Sequence, residues 1–250
     1  MSLNQILLYP IGTSGSCRYA SDRLEKAGIR LIDHPAPEIT HVLLDIPSFD
    51  AWGLLKDGRD FKGILRMLPH RVTVIGGNLY VDYLKEYPTM DLLQDPRYLA
   101  RNAAITAQCA LQAAAPHLHT AFADTPVLIL GWGRIGKCLA NLLKAYGAPV
   151  TVAARKPQDR AMLEALGYYA VDFEKVPEIL AQYRLLYNTV PDLPFIWDLS
   201  KVVAIDLASE PGMQGDNVII ARGLPGKYAP ESSGRLMAET ILRYYKEGLL

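Results

Sequence analysis

A glycine turn between an apolar strand and an amphipathic helix limits this fold more than any other feature. The turn is Gly131-Trp132-Gly133-Arg134-Ile135-Gly136, and the apolar run Val127–Leu130 comes directly before it. The residues after the turn show the spacing of one apolar helix face, and Val150–Val152 then reads as a second buried strand. A strand, a glycine turn, a helix and a strand within about thirty residues are typical of a dinucleotide-binding Rossmann unit.

The glycines in this turn have a physical purpose in such a unit. They allow a tight turn, let backbone approach a pyrophosphate, and bring the helix close to the strand. The helix N-terminus adds unpaired N–H groups and the positive end of its dipole. We therefore predict that Gly131, Gly133, Arg134 and Gly136 hold the pyrophosphate, and that Trp132 and Ile135 of the same turn also bind the cofactor.

The end of the second strand predicts which dinucleotide binds. An NAD site usually has an Asp or Glu about twenty residues after the glycine motif, where it holds the ribose 2′-hydroxyl. This chain has Arg155 and Lys156 there, and no carboxylate occurs before Asp159. A solvated basic turn before Pro157 is the alternative. Because Arg155 can pair bidentately with a 2′-phosphate and Lys156 adds charge, the sequence favours NADP over NAD.

Composition excludes several classes of protein. The 250 residues carry no formal net charge, half of them are hydrophobic and 21% are charged, so neither nucleic acid nor an anionic membrane is expected as a partner. No apolar run approaches the roughly eighteen residues of a membrane span. The N-terminal segment lacks a basic region and a cleavage site, so we predict no signal peptide.

Cysteine and histidine usage points to a reducing compartment and no metal. Cys17, Cys109 and Cys138 are odd in number and far apart, which suits the cytoplasm and small buried apolar side chains. The five histidines are scattered. His117 and His119 lie two residues apart, which is a poor spacing for one metal-binding helix face.

The pattern of apolar runs predicts an α/β fold with two domains. Residues 1–98 alternate short strands and helices and are expected to form a smaller, flavodoxin-like α/β domain. Residues 99–121 are expected to form a connecting helix, and residues 122–250 a Rossmann-type doubly wound parallel sheet. Within the first domain, the loop Gly12–Ser16 fits no phosphate-loop spacing and favours a plain turn, while Tyr80–Arg97 reads as irregular.

Ligands of a doubly wound sheet bind beyond the carboxyl ends of its strands, and three polar or glycine-rich segments are predicted there. We expect Asn188, Thr189, Val190 and Pro191 to lie on the nicotinamide side of the cofactor, and Asp206 to bind the cofactor where it faces the substrate. Substrate is expected at Ser209, at the loop Gly223, Leu224, Pro225, Gly226 and Lys227, and at Ser232 in the first turn of the last helix. Each segment alone also fits ordinary turn chemistry.

These segments together resemble one enzyme family. The chain is similar to the A-subunit family of dipicolinate synthase at the glycine turn, at Ala154-Arg155 and at Asn188-Thr189-Val190-Pro191. The more specific similarities are Asp206-Leu207-Ala208-Ser209-Glu210-Pro211-Gly212 and Gly223-Leu224-Pro225-Gly226-Lys227-Tyr228-Ala229-Pro230. The segment Asn102–Gln108 also resembles the interdomain segment of that family, which commonly has a Glu where this chain has Gln108.

The resemblance implies an activity: NADP-dependent oxidation of a dihydrodipicolinate-like ring during sporulation, with a flavoprotein-like second subunit. The family is itself similar to the D-2-hydroxyacid dehydrogenases, which use a His near the last strand as acid and base. No His occurs from Thr120 to Leu250, so that chemistry is not favoured, and the catalytic group is left unassigned. A hydroxyacid dehydrogenase acting on another small acid and an NADP-binding subunit without turnover are the alternatives. We also expect a homo-oligomer.

Overall fold

The structure is a computed structural model, and it describes residues 3–191, 193, 197–210, 212, 213, 215 and 217–248. Its strands are β1 Leu7–Pro10, β2 Arg30–Leu31, β3 His41–Leu43, β4 Thr73–Gly76, β5 Thr89–Asp91, β6 Val127–Leu130, β7 Val150–Ala153, β8 Tyr169–Val171, β9 Leu185–Asn188, β10 Val203–Asp206 and β11 Val218–Ile220. Its helices are α1 Gly15–Lys26, α2 Phe61–Leu65, α3 Pro96–Ala114, α4 Arg134–Ala145, α5 Pro157–Ala165, α6 Val176–Ile179, α7 Leu224–Tyr228 and α8 Pro230–Glu247. None of the described helices is long and apolar enough to cross a membrane.

The chain forms two compact units of similar length. The first contains Met1–Asn102 together with Pro225–Leu250, and the second contains Ala103–Leu224. The predicted boundaries differ from this division, because the terminal helix was assigned to the Rossmann domain and instead belongs to the first unit. Helix α3 was expected as a connector, and the division falls within it.

The first unit has a five-stranded parallel sheet in the order β2-β1-β3-β4-β5. This is the flavodoxin-like order, so the predicted fold class of this part is confirmed. The central strands are mostly apolar because both faces of the sheet are covered, and Val42 and Val74 are completely buried. Strand β5 lies in the segment predicted to be irregular, since three residues between prolines carry too little periodicity to be recognised.

Helix α8 packs closely against α1 in the first unit. A side chain at Gly234 would overlap the backbone of Ser16 and lie 2.6 Å from the Cβ of Tyr19, so only glycine permits this approach. Ion pairs from α3 to α8, including Arg101 to Glu239 at 2.6 Å, hold the outer side of the helix. The fit of one glycine against α1 therefore decides where the last helix lies, which amphipathic spacing alone could not show.

The second unit has a six-stranded parallel sheet in the order β11-β10-β9-β6-β7-β8. Counted within the unit, this is the doubly wound order of dinucleotide-binding sheets, and the strand order reverses between β6 and β9. The pairing register places Leu130 opposite both Ala153 and Asn188, and Asn188 opposite Asp206. These carboxyl ends therefore lie at one edge. The predicted Rossmann-type fold is confirmed.

Candidate nucleotide-binding site

The first glycine of the turn is required by its conformation and its neighbours. Gly131 has φ of 101°, in the region that favours glycine. A Cβ there would lie 2.5 Å from Thr189 Oγ1 and 2.7 Å from Val190 Cγ2. Thr189 Oγ1 itself donates a hydrogen bond to the Leu130 carbonyl at 2.8 Å. The turn after β6 is thus packed directly against the turn after β9.

The other two glycines of the turn, Gly133 and Gly136, have different structural roles. A side chain at Gly136 would overlap the carbonyl oxygen of Gly131, so this glycine lets α4 lie against the turn. Gly133 precedes the first residue of α4, and a Cβ there would meet nothing within 4 Å. Its open backbone leaves space for a ligand beside the helix N-terminus. The three glycines thus provide a tight turn, open backbone that a ligand can approach, and close packing of the helix. A dinucleotide-binding site requires these three features to hold its pyrophosphate.

A cleft of about 280 Å³ opens at this edge of the second sheet. Its lining includes eight of the predicted cofactor residues: Gly131, Trp132, Gly133, Arg155, Lys156, Thr189, Val190 and Pro191. Ala154, Asp159 and Phe173 complete the lining. Arg134, Ile135, Gly136, Asn188 and Asp206 do not line it; the first three lie in the opening turn of α4, and the other two end strands beneath the cleft.

Two of the additional lining residues, Asp159 and Phe173, were not predicted from the sequence. The sequence contains a local signal for the first and none for the second. Asp159 lies in the first turn of α5, four residues after Arg155, so its place beside the basic turn follows from the helix start. Phe173 follows β8, and its position depends on β8 pairing with β7. Strand order is a tertiary property, and no local sequence pattern predicts that Phe173 lies at the cleft.

The basic turn after β7 is held in place by a third arginine. Arg160 Nη1 donates to the carbonyl of Ala154 at 2.8 Å and to that of Arg155 at 2.9 Å, and pairs with Asp172 at 2.6 Å. Arg160 is thereby occupied with the backbone of the turn. Arg155 and Lys156 are exposed and are the cationic side chains of the described cleft lining.

Trp132, which lies between the first two glycines of the turn, forms part of the cleft wall. Its ring meets that of Tyr168 edge to face at 5.9 Å, and Lys137 Nζ lies 5.7 Å from its centroid. Both contacts are attractive, because the ring edge meets a π-face and a cation lies within reach of the ring. The indole is therefore an ordered wall beside the glycine turn.

Asn188 and Asp206 are completely buried and bonded to each other and to backbone. Asp206 accepts hydrogen bonds from Asn188 Nδ2 at 3.1 Å and from the backbone N–H groups of Ala208, Gly212 and Met213 at 2.7–3.0 Å. Asn188 exchanges two hydrogen bonds with the backbone of Val190. These contacts position the segments that follow β9 and β10, a role that the sequence analysis did not assign.

The predicted substrate residues differ in secondary structure, in exposure and in the unit to which they belong. Ser209 is exposed in the second unit after β10, and Pro211 of the same motif lies outside the described residues. The segment Gly223–Lys227 was expected to be a glycine-rich loop, and that expectation is wrong because α7 begins at Leu224. The Leu224 side chain is buried, which supplies the apolar contact that stabilises so short a helix.

Lys227 and Ser232 both belong to the first unit. Lys227 is exposed, and its Nζ lies 5.2 Å from the centroid of the Tyr228 ring. Ser232 is half-buried in the first turn of α8, as predicted, and the helix begins at Pro230. In the same place a Cβ at Gly15 would lie 3.1 Å from Pro230, so the N-termini of α1 and α8 are adjacent.

The thiol groups are poorly suited to nucleophilic chemistry. Burial raises the pKa of Cys17 to about 12, and burial also raises the pKa of Cys109 and of Cys138. The thiol form, which is the weaker nucleophile, therefore predominates at neutral pH. Among the described residues, no group of three or more His, Cys, Asp or Glu side chains could hold a metal ion.

Comparison with known proteins agrees with this geometry. Residues 95–194 match the family described as D-isomer specific 2-hydroxyacid dehydrogenase, NAD binding domain. The matched range includes the glycine turn, the basic turn and the Asn188–Pro191 segment. It indicates a nicotinamide dinucleotide as the cofactor and does not distinguish NADP from NAD.

The A-subunit of dipicolinate synthase from Bacillus subtilis (strain 168), a curated protein, is 27% identical over 159 residues, which cover 58% of this chain. The match spans about half, 54%, of that protein's own length. The predicted resemblance to this family is therefore confirmed.

Solved structures show the same fold. The crystal structure of the dipicolinate synthase A-subunit from Bacillus halodurans has a TM-score of 0.82 at 20% identity, covering 96% of this chain and 98% of that one. A transhydrogenase from Sinorhizobium meliloti has a TM-score of 0.74 at 16% identity, covering 98% of this chain and 85% of that one. At these identities the likeness establishes the fold.

Proposed function

We propose that this protein is an NADP-dependent oxidoreductase that oxidises a dihydrodipicolinate-like acid. The observation that carries the proposal is the cleft itself, where a glycine turn open at Gly133 faces a turn with two exposed cations. The curated relative, which is named as part of a dipicolinate synthase, supplies the substrate class. The match to the NAD-binding domain of 2-hydroxyacid dehydrogenases supports an NAD(P)-dependent dehydrogenase activity.

The preference for NADP rests on charge at the end of β7. Arg155 and Lys156 line the cleft where an NAD site usually carries an acid, and Asp159 is the carboxylate nearest to them in sequence among the lining residues. Two cations against one carboxylate favour a 2′-phosphate. Because Arg160 fixes the backbone of Ala154 and Arg155, the turn is ordered before the cofactor binds and loses less backbone entropy on binding.

The residues at the cofactor have separate tasks. The backbone at Gly133 and the N-terminus of α4 hold the pyrophosphate, while Thr189, Val190 and Pro191 form the wall for the nicotinamide side. A nicotinamide held there would supply the hydride acceptor for the substrate ring, which would also release a proton as it becomes aromatic. Aromatisation favours hydride departure, so a weak base or a water molecule suffices for the proton.

The carboxylates of the substrate need cationic or N–H partners. Lys227 is exposed and Ser232 lies in the first turn of an eighteen-residue helix, whose N-terminus favours negative charge. The adjacent N-terminus of α1 adds to the same field. We assign these two residues, with Ser209 and the segment Gly223–Gly226, to substrate binding.

The assembly expected from the resemblance also belongs to this proposal. The relative's name describes one component of a synthase with more than one kind of chain. We propose a flavoprotein-like second subunit beside a homo-oligomer of this chain in the cytoplasm of a sporulating cell. A second candidate function is an NADP-binding subunit without turnover. Gln108, where the family commonly has Glu, is exposed on α3 and favours that candidate.

A turnover assay separates the two functions. The purified chain is mixed with NADP⁺ and dihydrodipicolinate, and the growth of NADPH absorbance is followed with and without a candidate second subunit. Turnover that depends on NADP⁺ supports the oxidoreductase. Tight NADPH binding with no turnover in either mixture would establish the binding subunit instead, and the absence of any dinucleotide binding would refute both.

A further inference from the structure

A second cleft, of about 430 Å³, lies in the first unit at the amino edge of its parallel sheet. We call it the amino-edge cleft. Its residues come from the starts of β3 and β4, from the segments before β3, β4 and β5, and from the last turns of α8: Pro37, Glu38, Ile39, Thr40, His41, Pro69, Arg71, Thr73, Pro88 and Tyr245. Ligands of open α/β sheets usually bind at the carboxyl edge, so the proposed oxidoreductase activity does not use this cleft.

Much of the wall of the amino-edge cleft is apolar. Three prolines contribute rings without N–H donors, and their fixed backbone angles make the wall rigid. The ring of Tyr245 stands edge to face with that of His41, with centroids 5.6 Å apart and planes at 76°. Such walls suit an aromatic ligand, which can stack on or meet these rings by its edge.

His41 gives the cleft an imidazole ring that can accept a hydrogen bond through one nitrogen. Its Nδ1 lies 2.7 Å from Thr40 Oγ1. Thr40 Oγ1 already accepts from the Leu7 N–H at 2.9 Å and donates its one hydrogen to the Leu7 carbonyl at 3.1 Å. With the hydroxyl hydrogen on the Leu7 carbonyl, Nδ1 donates to Thr40 Oγ1 and Nε2 is the acceptor nitrogen. Burial lowers the pKa of His41 to about 4, so the neutral ring persists at pH 7.

Charged and unsatisfied groups define the rest of the ligand. Arg71 is exposed at the cleft and offers the planar fork that pairs with a carboxylate. Glu38 is also exposed there. Its negative charge would repel a second carboxylate on the ligand, and its carboxylate oxygens can accept a hydrogen bond from a donor group on the ligand. Tyr245 contributes its ring to the lining, while its hydroxyl is buried and has no hydrogen-bond partner among the described residues.

We propose that the amino-edge cleft binds a small aromatic monocarboxylic acid that carries a hydroxyl or amino donor. The carboxylate pairs with Arg71, the ring lies among the prolines and Tyr245, and the donor meets His41 Nε2 or Glu38. The proposal does not depend on the substrate or cofactor assigned to the second unit.

Titration calorimetry on the full chain tests this site with para-hydroxybenzoate as the probe. We expect saturable binding of one molecule per chain. Benzoate, which lacks the donor, and para-hydroxybenzamide, which lacks the charge, should each bind at least about fivefold more weakly, the loss expected for one hydrogen bond or ion pair. Equal affinity for all three compounds, or no saturable binding, would overturn the proposal.

Variants place the probe in this cleft. Arg71→Gln should weaken para-hydroxybenzoate about tenfold and abolish the preference over the amide, because the charge-assisted pair is lost. Arg66→Gln, the same change at an exposed arginine outside the cleft, is the matched control and should bind like the parent chain. Circular dichroism verifies that both variants fold. Unchanged affinity in Arg71→Gln, or displacement of the probe by NADPH, would assign the binding to another site.

Discussion

The side-chain amide of Asn188 donates a hydrogen bond of 3.1 Å to the buried carboxylate of Asp206, and the two residues are opposite each other on β9 and β10. Each then holds the segment that follows its own strand. Asn188 fixes Val190, which lines the cleft, and Asp206 fixes the backbone at Gly212. A carboxylate outside the cleft lining thereby sets the position of the cleft wall.

Replacing Asp206 should destabilise the second unit. Asp206→Asn places an NH₂ group where a charged oxygen accepts from backbone N–H groups, so buried donors lose their partner. We expect a loss of about 2–3 kcal/mol in the free energy of unfolding, measured by urea titration, with weaker dinucleotide binding. Asp198→Asn, at an exposed turn, is the control and should change stability by less than about 0.5 kcal/mol. An Asp206 variant as stable as the control would contradict the positioning role.

The glycine turn allows binding and folding to be separated. Gly133→Val should abolish NADPH binding while the chain stays folded, because its side chain enters space that is open in the structure. Gly136→Ala should instead destabilise the fold, since its Cβ overlaps Gly131. Calorimetric titration and thermal unfolding on both variants test this contrast. Native affinity in Gly133→Val would mean that the loop is only a structural turn.

Cofactor preference should depend on Arg155. Arg155→Ala is expected to weaken NADPH by about 1–3 kcal/mol and to leave NADH almost unchanged, because only the 2′-phosphate offers the charge-assisted pair. The control is Arg184→Ala, an exposed arginine next to the amino end of β9. Dissociation constants for both cofactors decide the matter, and equal losses for NADPH and NADH would refute the assignment.

Stability should fall in mild acid because of His41. Its pKa is about 4 in the folded chain and about 6.5 when unfolded, since burial disfavours the charged ring. Between these values the unfolded chain binds more protons, so stability decreases as the pH falls, by at most about 3 kcal/mol. Urea unfolding from pH 7 to pH 4 should show a shallower decrease for His41→Gln than for the parent. His70→Gln, at an exposed position, should keep the parental dependence, and a His41 variant that also keeps it would contradict the expectation.

Substrate carboxylates should depend on two residues of the first unit. The double variant Lys227→Ala, Ser232→Ala is expected to raise the KM for a dicarboxylate about tenfold, equivalent to ~1.4 kcal/mol of binding, and to leave NADPH affinity unchanged. Lys246→Ala, in the last turn of the same helix, serves as the control. A native KM, or a loss confined to cofactor affinity, would place the acid-binding surface elsewhere.

Several elements of the fold were evident from local patterns. Val127–Leu130 occurs with the predicted bounds, and the strand predicted at Val150–Val152 is one residue longer, because a short apolar run between turn residues is a local signal. The turn Gly131–Gly136 was recognised for a similar reason, since its spacing is contiguous in sequence. The short helix α7 was missed because a glycine and a proline within five residues outweigh a single buried leucine in any local pattern.

The sequence by itself determined the α/β class, the dinucleotide-binding unit and the basic turn at Arg155, all of which depend on neighbours in the chain. Only the tertiary structure decided that Phe173 lines the cleft, that Asp206 is saturated by buried donors, and that α8 packs on α1 at Gly234. Those features depend on strand order and on close approach of distant backbone. Both are set by how surfaces fit together after folding, and the spacing of residues along the chain does not record them.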